Sequence, residues 1–185
     1  KVYKNINESC WEKYRLNQLS KEKLRSERFF LTLEYFGIIN DNLAIKIGND
    51  YVNNSPFRTK LIPFTIQLLN ALKDHFKLHI ITNGFEEVQN IKLRESRLNH
   101  YFDNVITSEM AGSKKPDPAI FNYALKISGA FVENSVMIGD DLNTDISGAI
   151  KVKMKAIYYN PHQKVHDIKI WKEVQNLSEI KKILL

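Results

Sequence analysis

The stretch Met137-Ile138-Gly139-Asp140-Asp141-Leu142-Asn143-Thr144-Asp145 places three carboxylates within six residues, directly after the apolar run Val136-Met137-Ile138. Carboxylates at such a position are costly unless a cation or hydrogen-bond donors satisfy them. Hard oxygen ligands of this kind suit Mg²⁺, which takes one or two protein carboxylates and completes its shell with water and phosphate. The plain structural alternative is capping of the next helix by Asp140 or Asp141, with Asp145 facing solvent.

Two more polar clusters fall where strands or loops run into helices. Thr82-Asn83-Gly84 follows Leu78-His79-Ile80-Ile81. A hydroxyl and an amide leading into a helix N-terminus make a natural anion cradle, although Asn-Gly is also a common turn and Thr a common cap. The other cluster is Gly112-Ser113-Lys114-Lys115-Pro116-Asp117-Pro118. A lysine held by a following proline can present a fixed cation to a phosphoryl group. A solvated loop with Asp117 as N-cap and Pro118 at the first helical position explains the same residues structurally.

In this order the three clusters resemble motifs II, III and IV of the haloacid dehalogenase-like (HAD) hydrolase superfamily. An apolar strand ends in Thr82; Lys115-Pro116 follows, with Pro118-Ala119-Ile120-Phe121 downstream; Gly139, Asp140 and Asp145 match Gly-Asp-x-x-x-x-Asp. The resemblance covers residues 63–160. It implies that Thr82, with the Asn83-Gly84 turn, and Lys115 bind the phosphoryl group, and that Asp140 binds Mg²⁺. Asp145 would then partner the lysine or the metal's waters. Lys115 rather than Lys114 takes the role, because the family's lysine directly precedes the proline. Arg28-Phe29-Phe30, Thr82-Asn83-Gly84-Phe85 and Ser108-Glu109 resemble a pyrimidine 5′-nucleotidase branch of that superfamily.

The family also requires Asp-x-Asp-x-Thr at the end of a first strand. Its first Asp attacks phosphorus to form an aspartyl-phosphate and its second acts as general acid and base. The aspartates here stand at 41, 50, 74, 103, 117, 140, 141, 145 and 167, and no two are two residues apart. The expectation is therefore a segment ahead of Lys1, on the order of 40–60 residues, carrying that strand, its catalytic loop and the start of a cap. The opening Lys-Val-Tyr, without an initiator Met, agrees with that expectation. In the family the first strand lies between those at 78–82 and 135–139. Each unpaired backbone group left by its loss costs about 1–3 kcal/mol when buried. The 185 residues alone are thus not expected to form a normal sheet.

The elements that must position these clusters change texture near Pro56 and Pro63. Residues 1–55 read as successive helices: Lys21–Phe36 behind a Ser20 cap with Gly37 beyond its end, then Asp41–Val52. After Pro63, assigned to a first helical turn, helices over 64–75, 86–98, 118–127 and 142–150 alternate with apolar runs at 78–81, 104–107, 135–138 and 155–159. Such alternation means βαβ units and a parallel sheet, with ligands at the carboxyl ends of its strands. The expected fold is α/β: a Rossmann-like parallel sheet with helices on both faces, over 59–185 and lacking its first, central strand. Residues 1–58 resemble a helical C1-type cap.

Composition bounds the function. The 185 residues carry 27 Lys+Arg against 21 Asp+Glu, a net charge of +6, with 43% hydrophobic residues, ordinary for a folded domain. Residues 151–185 hold eight lysines, three acids and no arginine. These lysines are scattered rather than interleaved with aromatics, so a nucleic-acid partner is not expected. The single Cys10 cannot form an internal bridge, which points to a reducing compartment, the cytoplasm. No apolar run approaches the roughly 20 residues of a membrane span.

The expectation is an Mg²⁺-dependent phosphatase acting on a nucleoside monophosphate or similar small phosphate ester. A catalytically inactive fragment that binds phosphate or a partner is the alternative. A response-regulator receiver would place its acidic pair before the Lys-Pro, the reverse of the order here. A dehalogenase proper shares the fold without the Mg²⁺ requirement, and the Gly-Asp-Asp cluster with Asp145 favours phosphatase chemistry over it.

Overall fold

A computed structural model describes all 185 residues, which divide into two compact units, Lys1–Arg58 and Thr59–Leu185. No helix is long and apolar enough to cross a membrane.

The first unit is helical: α1 (Val2–Arg15), α2 (Lys21–Tyr35) and α3 (Asp41–Asn54). Ser20 caps α2 by accepting from the Lys23 amide, and Asn40 caps α3 by accepting from that of Leu43. Gly37, with φ +77°, takes the left-handed conformation that closes α2. Leu24, Phe29 and Ala44 are buried, and so is Arg28, 3% exposed. The Arg28 guanidinium lies 4.7 Å from the Tyr51 ring centroid and donates to Asn7 Oδ1 at 2.9 Å. Aromatic faces thus stand in for the carboxylate a buried cation ordinarily finds.

The second unit runs α4 (Thr65–Leu72), β1 (His79–Thr82), α5 (Glu86–Glu95), β2 (Asn104–Thr107), α6 (Ser108–Ala111), α7 (Pro118–Ser128), β3 (Val136–Gly139), α8 (Ser147–Lys151), β4 (Lys155–Tyr159), β5 (Lys172–Val174) and α9 (Leu177–Leu184). Several boundaries differ from the sequence reading for local reasons. Phe64 is left-handed, φ 67°, so α4 starts at Thr65 and Pro63 lies outside it. Arg97, φ 57°, follows the early end of α5. The helix expected over 142–150 is split: a π-turn spans Leu142–Ile146 before α8. Both Asp145 N–H and Ile146 N–H donate to the Asp141 carbonyl, which widens that turn. Strand β5 and helix α9, the latter closed by an Asn176/Glu179 capping box, were not anticipated.

All strand pairs are parallel. They form two sheets: β1 with β2, from His79 opposite Asn104 to Thr82 opposite Thr107, and β3–β4–β5. β1 and β3 do not pair with each other, so each keeps one free edge. Both are half-buried along their whole length, whereas the centre of β4 is buried. The strands thus form two separate parallel sheets where the alternation of helices and apolar runs predicts a single sheet.

Helices cover both faces. Alternation along β4 sends Ala156 and Tyr158 into a core with Ile120 and Phe121 of α7 and Ala149 of α8. Ile157 points into a second core, with Leu68 and Leu72 of α4 and Ile180 of α9. The first core also takes Ile106 of β2, with Ile81 of β1 packed against it, so one helical layer underlies both sheets.

Candidate active site

The carboxyl ends of β1 and β3 meet at Lys115. Its ammonium donates to Asp145 Oδ1 at 2.6 Å and to the Ile81 carbonyl at 2.8 Å. Lys115 is 9% and Asp145 6% exposed. A pair this dry is favourable only when further hydrogen bonds satisfy its remaining atoms. Thr144 Oγ1 donates to Asp145 Oδ1 at 3.4 Å and the Asp141 N–H to Oδ2 at 3.4 Å, completing the carboxylate's shell. Asp145 reaches this position because residue 139 is glycine. A Cβ there would lie inside the Asp145 side chain.

The loop bearing Lys115 is tied down from two sides. Asn83 accepts from the Lys115 N–H through Oδ1 at 2.8 Å and donates through Nδ2 to the Lys115 carbonyl at 2.9 Å. On the other side α8 approaches so closely at Gly148 that a Cβ would meet Phe121 and the Pro116 backbone. The Lys115–Pro116 peptide is cis. Asp117 Oδ1 caps α7 by accepting from the Ala119 N–H at 2.8 Å, with Pro118 opening the helix.

Of the phosphate-site residues expected from sequence, the structure brings Thr82, Asn83, Gly84 and Lys115 together at the end of β1, but in unequal roles. The Gly84 N–H donates to Thr82 Oγ1 at 3.0 Å, which orients that hydroxyl and leaves its hydrogen available. Gly84 is therefore engaged within the chain, and the Asn83 carboxamide is engaged with Lys115. Of the three acids after β3, Asp145 faces Lys115 rather than solvent. Asp141 is the helix cap, accepting from Asn143 N–H at 2.8 Å and Thr144 N–H at 3.1 Å. Asp140 is exposed, and its carboxylate has no hydrogen-bond partner.

No group of three or more His, Cys, Asp or Glu side chains is assembled to hold a metal ion. One exposed hard carboxylate at the end of β3, Asp140, nevertheless fits Mg²⁺, which draws most of its ligands from water and phosphate. Burial pushes the Tyr158 phenol up, aided by the carboxylates of Glu173, Asp140 and Asp141, so a neutral hydroxyl stands near the acidic cluster. The Ile81 carbonyl and Gly148 are parts of this site that the sequence did not single out, whereas Gly139 stood in the Gly-Asp pattern without its packing role. The one signal for Gly148 was a glycine inside a short helix.

The chain is similar to known proteins in sequence and in fold. A profile of the haloacid dehalogenase-like hydrolases matches residues 2–159. The pyrimidine 5′-nucleotidase YjjG of Escherichia coli is 30% identical, over 98% of this chain and 80% of its own. The pyrimidine 5′-nucleotidase PynA of Streptococcus pneumoniae is 30% identical over 86% of this chain and 68% of its own. Among solved structures, YfnB of Bacillus subtilis, named as a HAD-hydrolase and crystallised with magnesium, superposes with a TM-score of 0.91 at 29% identity, covering 98% of this chain and 80% of that one. With the profile matching most of its length and a relative 30% identical across 98% of it, the chain belongs to the haloacid dehalogenase-like hydrolase family.

Proposed function

We propose that this fold hydrolyses a small phosphate ester, a nucleoside monophosphate foremost, with Mg²⁺ as cofactor and the helical unit 1–58 as a cap domain. The observation that carries the reading is the buried Lys115–Asp145 pair beside the oriented Thr82 hydroxyl. An ammonium has three hydrogens. Two are taken by Ile81 O and Asp145, which leaves one for a phosphoryl oxygen. Thr82 donates its hydroxyl hydrogen to a second oxygen. Asp145 keeps the ammonium charged and in place. Asp140 would hold Mg²⁺, which when bound supplies further positive charge against the phosphoryl group.

The attacking carboxylate is not among the 185 residues, which lack Asp-x-Asp. In this reading it stands on a further strand between β1 and β3. Its attack on phosphorus there breaks the ester P–O bond, releases the alcohol and forms an aspartyl-phosphate, which water then cleaves to inorganic phosphate. The similarity to nucleotidases supports the substrate class. The buried, unbridged Cys10 suits a reducing, cytoplasmic setting. A second reading rests on the same gap: the 185 residues by themselves bind phosphate without turnover.

Calorimetric titration with inorganic phosphate and Mg²⁺, alongside phosphate release from a nucleoside monophosphate, tests both readings. Binding that is lost in Asp140→Asn, without release, fits the second reading for this chain. Release that is lost in Asp140→Asn, measured with an Asp-x-Asp strand supplied, fits the first. Absence of phosphate binding in the unaltered protein would overturn both.

A further inference from the structure

We propose that Asn83 is the positioning residue for Lys115, acting through the lysine's backbone. The inference rests on the phosphoryl-site reading for its consequence but not for its geometry. The Asn83 carboxamide makes a closed pair of hydrogen bonds with one residue. Oδ1 takes the Lys115 N–H at 2.8 Å and Nδ2 gives to the Lys115 carbonyl at 2.9 Å, across 32 residues of sequence. This is the pattern one strand residue makes with its neighbour, here made by a side chain. It grips the Lys115 backbone on both its donor and its acceptor.

The grip matters because Lys115 sits in a loop rather than in a helix or strand. Its side chain must reach two partners on different sheets, the Ile81 carbonyl of β1 and Asp145 beyond β3. Asn83 directly follows Thr82, the last residue of β1. The clamp therefore references the lysine backbone to the same strand whose carbonyl receives its ammonium. One rigid element sets both ends of the side chain, which fixes the distance between the ammonium and the Thr82 hydroxyl. Asn83 touches no reacting group in this scheme. Both of its side-chain polar atoms bond the Lys115 backbone, and its effect passes through Lys115.

The test uses the full chain labelled with ¹⁵N, reading hydrogen exchange of the Lys115 ammonium by side-chain NMR, with inorganic phosphate affinity measured in parallel. Asn83→Ala is expected to speed Lys115 ammonium exchange about tenfold and to weaken phosphate by a similar factor, as loss of a hydrogen-bonded restraint implies. Asn83→Asp keeps the acceptor for the Lys115 N–H and loses the donor, so its exchange falls between the two; it carries the same test should Asn83→Ala not fold. Asn176→Ala removes the cap of α9, where Asn176 Oδ1 accepts from Ser178. It lowers Tm while leaving Lys115 exchange at the wild-type rate. Wild-type exchange in the Asn83 variants, or an equal rise in Asn176→Ala, overturns the proposal. Faster exchange in a protein that binds no phosphate leaves the clamp standing and sinks the phosphoryl reading alone.

Discussion

Three aspartates within six residues end in three different environments, and their substitution should separate accordingly. Asp145 is buried against Lys115, so removing either partner strands a charge in a dry site. Asp145→Asn and Lys115→Met are each expected to cost about 3–5 kcal/mol, with the double variant recovering a large part of the loss. Urea unfolding of the four proteins measures that coupling, and additive losses would show that the pair does not interact as placed. Asp140→Asn, at an exposed carboxylate without partners, should change stability by no more than about 0.5 kcal/mol, so its consequence is confined to metal and phosphate binding. Gly139→Ala belongs with Asp145. Its Cβ would displace that carboxylate, at a cost of about 1–3 kcal/mol.

At the level of elements, the free edges of β1 and β3 have a measurable signature. Strand β4 is paired on both sides, while β1 and β3 each have a partner on one side only. Amide hydrogen exchange should therefore be slowest through β4, with alternate amides of β1 and β3 exchanging well ahead of their neighbours. Uniform protection along β3 would mean that its edge is covered. β1 carries a second signature in His79, whose Nδ1 lies 3.1 Å from Asn104 Nδ2. Burial holds this imidazole below its ordinary value, Lys77 adding to the effect and the Asp103 carboxylate opposing it. Because the folded value is the lower one, the unfolded chain binds the proton first. Stability is then full above about pH 6.5 and is lost as pH falls through the folded value. Urea midpoints between pH 7.5 and 5 should fall in the wild type and fall less in His79→Gln.

These elements also show what a sequence can convey. The Asp117–Pro118 helix start, Gly37 after α2 and strand 104–107 were legible, since caps, left-handed glycines and apolar runs act within a few residues. The left-handed Phe64, the three-residue β5 and the Asn83–Lys115 clamp were not. Each depends on partners far along the chain or on a segment too short for a period.

For the whole molecule, the division at Arg58 and Thr59 predicts how it comes apart. Each unit has its own core, and unfolding of such a chain need not be a single transition. The two tryptophans, Trp11 and Trp171, fall one in each unit, so fluorescence can report the units separately in Trp171→Phe and Trp11→Phe backgrounds. In the helical unit the vulnerable point is Arg28. It is buried and held by Asn7 and the Tyr51 face with no carboxylate, so its removal opens a cavity without stranding an opposite charge. Arg28→Ala should cost about 2–4 kcal/mol, seen as an earlier Trp11 transition with the Trp171 transition unmoved. Asp145→Asn should produce the reverse, because its partners all lie beyond Thr59. If both substitutions shift both transitions equally, the two units unfold together and the division is one of contacts but not of energetics.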